Sequence, residues 1–245
     1  MNTGYLKHLT SALLLVTLQT AVAGDGRGPA VDVEPLAGEK HFRNLRQLTF
    51  GGQNAEAYFS HDGTELIFQS TRNELQCDAI FRMHSDGSHV RQLSSGLGVT
   101  TCGFIAPDNR SIIYASTHLQ QQQCPPKPDH SQGYVWPLHT GYEIFRAGPG
   151  GENPRRLTDT DNYDAEAVYS PQGDRIVFTS LRSGDLELYL MNPDGSDVQQ
   201  LTRQPGYDGG AFFSLDGQWI VWRLSLIHIS EPTRPPLLSR MPSSA

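Results

Sequence analysis

A chain of 245 residues with 37% hydrophobic and 18% charged residues, 24 glycines and 16 prolines has the composition of a turn-rich, all-β globular protein. Its formal net charge of −7 argues against a nucleic-acid partner, because phosphate binding depends on Lys and Arg releasing counterions, and no basic patch stands out.

The first 23 residues carry Lys7 and His8, then the apolar run Leu13-Leu14-Leu15-Val16, then Ala21-Val22-Ala23. A charged start, an apolar stretch too short to cross a bilayer and an Ala-x-Ala end describe a secretory signal peptide cleaved before Gly24. No cysteine follows Ala23 at lipobox spacing, so the expected product is soluble and exported, periplasmic or secreted. Residues 24–40, rich in Gly, Pro and acidic side chains, read as a flexible leader. His41 to Thr49 (HFRNLRQLT) matches the last strand of a repeat whose earlier strands do not precede it, and it is assigned as a strand that closes a ring.

The repeat is clearest between Tyr163 and Thr202. Ala165–Ser170, Arg175–Ser180, Leu186–Met191 and Val198–Thr202 are rich in β-branched and aromatic residues, and Pro171-Gln172-Gly173, Leu181–Asp185 and Asn192-Pro193-Asp194-Gly195 punctuate them. We denote these strands A to D of an antiparallel meander. Its closing tetrapeptide recurs as RQLT at Arg46, RQLS at Arg91, RRLT at Arg155 and QQLT at Gln199, with spacings of 45, 64 and 44 residues. The A-B hairpin recurs from Ala57, Gly103, Ala167 and Ala211, and the C-D hairpin from Ala79, Glu143 and Glu187. Four strands every 40 to 45 residues predict an incomplete β-propeller of four-stranded antiparallel blades: about three and a half repeats over residues 41–223, plus the N-terminal closing strand.

The Asp-Gly turns, the (I/L)(F/Y)-x-M-x-x-DGS hairpin and the closing (R/Q)QLT resemble the repeats of TolB-like periplasmic propeller proteins, from about Arg43 to Arg223. The resemblance implies a binding scaffold without catalysis of its own, whose partners are envelope proteins or peptides such as peptidoglycan-associated lipoprotein and translocated polypeptides. The alternative is the N-terminal propeller of a truncated exported peptidase or hydrolase of prolyl-oligopeptidase type, which a downstream Gly-x-Ser-x-Gly would mark. After Arg223 the repeat pattern stops, and Leu224 to Arg234 resembles a translated transposase-type sequencing adapter. Residues 224–245 are therefore expected to be a non-native or disordered tail on a fragment.

In such a meander the A-B and C-D turns share one face and the variable B-C loops share the other, where function is expected. The second repeat's B-C loop is an insertion, Leu119 to Gly141, carrying Cys124, His130, Trp136 and His139. On the same face Asn54, Glu56, Asp164, Glu166 and Asp208 sit near the start of strand A, with Arg72 and Arg182 just after strand B. These acidic residues form a ring at the channel mouth that either pairs with the arginines or binds a ligand or cation. Asp159, Asp161, Asp164 and Glu166 lack the glycine of a calcium loop, and His118, Asp129, His130 and His139 match no zinc spacing, so neither metal nor cofactor is expected. Cys77, Cys102 and Cys124 predict one disulfide and one free thiol, with Cys124 bonded to Cys102 or Cys77.

Overall fold

The computed structural model describes residues 30–129, 131, 136–226 and 238–239. The expected signal peptide, His130 and most of the expected tail lie outside the described residues. The named elements among the described residues are β-strands, and all named pairings are antiparallel. No helix among the described residues is long and apolar enough to cross a membrane.

Strand β1 (Val31–Asp32) pairs with β2 (Arg46–Gln47). Blade I is β3 (Gln53–Phe59), β4 (Glu65–Thr71), β5 (Ala79–His84) and β6 (Arg91–Gln92). Blade II opens with β7 (Thr100–Ile105) and β8 (Ile112–Ser116), passes through the insertion with its short β9 (Trp136–Pro137), and continues as β10 (Glu143–Ala147) and β11 (Arg155–Arg156). Blade III is β12 (Asp164–Tyr169), β13 (Ile176–Ser180), β14 (Glu187–Met191) and β15 (Gln199–Gln200). Blade IV contributes β16 (Tyr207–Phe213) and β17 (Ile220–Ser225), while β18 (Leu238–Ser239) pairs with β9. The predicted A, B and C strands of blade III agree with these to within a residue.

The outer strands are shorter than expected, two residues each. Their contacts continue past the ladder: the Leu201 amide donates to the Leu188 carbonyl at 2.8 Å, and the Leu188 amide donates to the Thr202 hydroxyl at 2.9 Å. Ser94 and Thr158 accept the amides of Ile80 and Ile144 in the same way. The Thr or Ser that ends the closing tetrapeptides of blades I, II and III is therefore a side-chain acceptor for an amide next to a strand's end, which would otherwise be buried without a partner.

Packing is blade on blade. Ile67 and Ile80 of blade I meet Ile112, Tyr114 and Phe145 of blade II, and Ile113 and Ile144 of blade II meet Ile176, Phe178 and Tyr189 of blade III. Each outer strand also rests on the next blade's C-D turn. Glycines 151 and 195, at φ of +86° and +87°, lie directly against the backbones of Leu93 and Leu157, where a methyl group would collide with carbonyl oxygen. Leu48 lies near Gly87 at the corresponding place, but at ordinary van der Waals distance, with its carbonyl oxygen 3.4 Å from where a methyl group would sit. The expected closing strand β2 thus occupies the outer-strand place ahead of blade I. Its hydrogen-bonded partner is β1, from the span read as flexible leader, and not a strand of blade IV.

Candidate functional site

Strand A of every blade breaks its ladder at the same position. The pairing register shifts between Ala55 and Tyr58, Thr101 and Phe104, Ala165 and Val168, and Gly209 and Phe212. The residue inside each bulge has left-handed backbone: Glu56 at φ 48°, Cys102 at 54°, Glu166 at 57° and Gly210 at 60°. For a non-glycine residue that conformation costs about 1–2 kcal/mol, so the surrounding sheet must impose it. A bulge re-aims the side chain that a regular strand would send to a flanking blade.

Glu56, Cys102, Glu166 and Gly210 all line one cavity of about 410 Å³. Tyr58, Gln69, Tyr207, Phe212 and Arg223 complete its wall. Two positions beyond the bulges, the rings of Tyr58, Phe104 and Phe212 meet with centroids 5.5 to 6.5 Å apart, so side chains of blades I, II and IV close on one another across the channel.

The groups in this cavity differ in how fully they are satisfied. Glu166 is buried and accepts hydrogen bonds from the Tyr207 hydroxyl at 2.7 Å, the Thr179 hydroxyl at 2.8 Å and the Gly210 amide at 2.7 Å, tying blade III to blade IV. Gln69 Oε1 accepts from the Thr101 hydroxyl and the Cys102 amide at 3.1 Å, tying blade I to blade II. Arg223 lies over the Tyr207 ring and donates to its hydroxyl. Burial raises the Glu56 carboxyl above the usual range; the Cys102 thiol beside it opposes that rise and Glu166 adds to it. Burial pushes the Cys102 thiol well above its ordinary value, and the charges of Glu56 and Glu166 push it further. Tyr58 and Tyr207 are raised by burial, then by Glu56 and Glu166 respectively.

The structure divides the expected acidic ring. Glu56 and Glu166 face the cavity, whereas Asn54 and Asp164, two residues earlier and on the other side of the bulge, bond to the arginine that follows strand B of their own blade. Arg72 donates to Asn54 Oδ1 at 2.7 Å and to the Ser70 hydroxyl, and lies over the rings of Phe68 and Phe81. Arg182 repeats this with Asp164, Ser180, Phe178 and Tyr189. His118 stands at the same place in blade II, 4.4 Å from the Phe145 ring and hydrogen-bonded to Ser116. These are clasps between strands, and burial lowers the His118 pKa as expected for a ring that works uncharged. In blade IV the place belongs to Leu226. Asp208 accepts from Trp222 through Oδ1; its Oδ2 and the buried Glu187 Oε2 have no other partner among the described residues. Burial raises the Glu187 carboxyl, and the neighbouring Asp208 adds to the rise.

The insertion is pinned by a disulfide between Cys77 and Cys124, with Cα atoms 5.6 Å apart, leaving Cys102 free and buried. His139 is half-buried with its ring 6.0 Å from that of Tyr142, and burial lowers its pKa. Trp136 contributes backbone to β9. Among the described residues no group of three or more His, Cys, Asp or Glu is placed to hold a metal ion. The cavity residues that sequence reasoning missed are Tyr58, Gln69, Tyr207, Phe212 and Arg223. The sole advance signal was their place in strands A and B beside the bulge.

No family model and no curated protein matches the chain. Solved structures do. TolB from Acinetobacter baumannii is 22% identical over 72% of this chain and 39% of its own, with a TM-score of 0.54. A TolB structure from Agrobacterium tumefaciens is 22% identical over 67% of this chain and 51% of its own, with a TM-score of 0.53. Hydrazine synthase from Kuenenia stuttgartiensis is 16% identical over 74% of this chain and 31% of its own, with a TM-score of 0.55. The chain spans about half, or less, of the length of each of these structures. Likeness at this identity speaks for architecture: the chain is an incomplete β-propeller with the fold seen in TolB structures.

Proposed function

We propose that this protein is an exported, non-catalytic propeller scaffold whose channel cavity takes an amine-bearing segment of an envelope protein or peptide. The observation that carries this reading is the common bulge, which aims Glu56, Cys102 and Glu166 into one cavity and leaves Glu56 as its least satisfied acid. A half-buried carboxylate lining the same cavity as Tyr58 and Phe212 suits a lysine side chain, whose stem packs on aromatic surface while its ammonium meets the acid. Arg223 is stacked over Tyr207 and acts on Glu56 only as a distant charge that lowers its carboxyl slightly against the effect of burial. Cys102 supports binding over nucleophilic chemistry: its neighbours are carboxylates that hold it as a thiol, the reverse of an activated cysteine. The N-terminal signal pattern and the Cys77–Cys124 disulfide fit an oxidising compartment.

Fluorescence anisotropy with labelled lysine-rich peptides and their acetyl-lysine counterparts tests this. Lysine peptides are expected to bind, acetylated ones to bind at least about tenfold more weakly, and Glu56→Gln to remove the difference. Equal binding of the two sets, or a difference that survives Glu56→Gln, would sink the reading.

A further inference from the structure

Blade I closes its C-D hairpin with a histidine on either side of the turn. Strand β5 ends at His84, Ser85-Asp86-Gly87-Ser88 makes the turn, and His89 follows. The His84 carbonyl accepts from the Gly87 amide at 2.9 Å and the His84 amide donates to the Ser88 carbonyl at 2.9 Å, so His84 is fixed at the mouth of the turn. His89 has left-handed backbone at φ 57°, a conformation that histidine, like Asn and Asp, enters more readily than most residues. Both side chains are exposed and lie together, with ring centroids 4.3 Å apart and ring planes at 34°.

The turn does not call for histidine. Blades II and III build it with the same glycine conformation, φ +86° at Gly151 and +87° at Gly195 against +86° at Gly87, and the same left-handed residue, Asn153 at 51° and Asp197 at 55°. In blade III Asn192 stands in the place of His84 and donates to the Ser196 hydroxyl at 2.9 Å, which donates to Asp194 at 2.6 Å. Blade I keeps the serine and the aspartate, but two imidazoles converge on the serine. Nδ1 of His84 is 3.3 Å and Nδ1 of His89 is 2.9 Å from Ser88 Oγ. The Ser88 hydroxyl gives its own proton to Asp86, so its lone pairs accept from both Nδ1–H groups. In the neutral rings that bonding puts the proton on Nδ1 and leaves a lone pair on each Nε2. Neither Nε2 has a partner among the described residues.

We infer that His84 and His89 form a two-histidine site for a divalent transition-metal ion, copper(II) before nickel(II), bound through the two Nε2 atoms with water in the remaining positions. Two protein ligands make this a different kind of site from the clusters of three or more that the described residues lack, and none of its residues lines the channel cavity. Imidazole suits these metals, and at a given site copper(II) binds tightest. The ring spacing favours them too. A metal–nitrogen bond of about 2.1 Å puts the ion about 3.2 Å from a ring centre. Two centres 4.3 Å apart then subtend about 85° at the ion, close to the angle between neighbouring ligands in a square-planar or octahedral complex. The path from each Nδ1–H through Ser88 to Asp86 orients both rings and brings a carboxylate to balance the cation, the outer support that metal-binding histidines use.

The test uses the full chain, cleared of metal with a chelator and titrated by calorimetry near neutral pH with copper(II), nickel(II) and zinc in turn. Copper(II) is expected to bind tightest, and His84→Ala and His89→Ala are each expected to weaken it at least about tenfold. The double substitution His84→Asn/His89→Asp gives the turn the residues that blade III carries at the same places, so the hairpin is retained while the ligands are removed. Its metal-free melting temperature is expected to match that of the unsubstituted chain, and the rise that copper(II) produces in the latter is expected to vanish. His61→Ala, which removes an exposed histidine from the A-B turn of the same blade, is expected to change neither. Absence of copper binding, an affinity unchanged in the double variant, a loss in only one of the two single variants, or an equal loss in His61→Ala would overturn the inference.

Discussion

Glu56 and Glu166 occupy equivalent bulges, yet their environments set them apart. Glu166 accepts from two hydroxyls and one amide, so its charge is shared among donors already in place. Glu56 is desolvated with fewer compensating donors, and its carboxyl is raised above the ordinary 4.5. A carboxyl that holds its proton more tightly when folded favours the folded state in acid, and that contribution is lost as pH rises from about 4.5 through the higher folded value. Melting temperatures of wild type and Glu56→Gln are therefore expected to converge near pH 4 and diverge above it, with the variant increasingly the more stable. A gap that does not change with pH would show that Glu56 is as well solvated folded as unfolded. The sequence named both residues, because acid in the same place of two repeats is visible by eye. It did not separate their roles, which depend on donors brought from the following blade and from strand B.

The hairpins and outer strands were legible because their chemistry is local. Ser60, Asp62 and Gly63 form one A-B turn, with the Ser60 hydroxyl donating to Asp62 and the Thr64 amide donating to the same carboxylate. That carboxyl is lowered to about 2, first by the Ser60 hydrogen bond. Ser170 with Asp174 and Ser214 with Asp216 make kindred bonds at their own turns. Glycine in these turns looks alike in sequence, yet its tertiary setting differs. Gly63 at φ +70° faces open space, while Gly151 at φ +86° lies against the Leu93 backbone of the preceding blade. Gly63→Ala is expected to cost about 1 kcal/mol, the left-handed backbone alone. Gly151→Ala should cost at least about 3 kcal/mol, since blades I and II must also part. Urea midpoints of the two variants measure the difference, and equal costs would mean that the outer strand does not bear on the turn. The bulges were not legible: residues such as Glu, Cys and Glu do not announce left-handed backbone.

For the whole molecule, the disulfide decides how the insertion is held to blade I. The Cys77–Cys124 bond joins the B-C loops of blades I and II across 47 residues, and closing a loop of that length is worth about 4 kcal/mol by chain entropy. Reduction, or the double substitution Cys77→Ser/Cys124→Ser, is expected to lower stability by about that amount; an unchanged denaturation midpoint would show that the insertion is already held by its packing. Three cysteines in sequence left the pairing open between Cys77 and Cys102, because both lie on the same face. The structure decides it through the bulge that turns Cys102 into the channel. The sequence by itself determined the all-β architecture, the blade period and the turn positions. All of these follow from interactions within one repeat, which recur often enough to be read as a pattern. The tertiary structure alone decided which acids face the cavity and that Tyr58, Phe104 and Phe212 meet across it. Those features arise between repeats, where one blade's side chains meet the backbone of another and spacing along the chain carries no record of the contact.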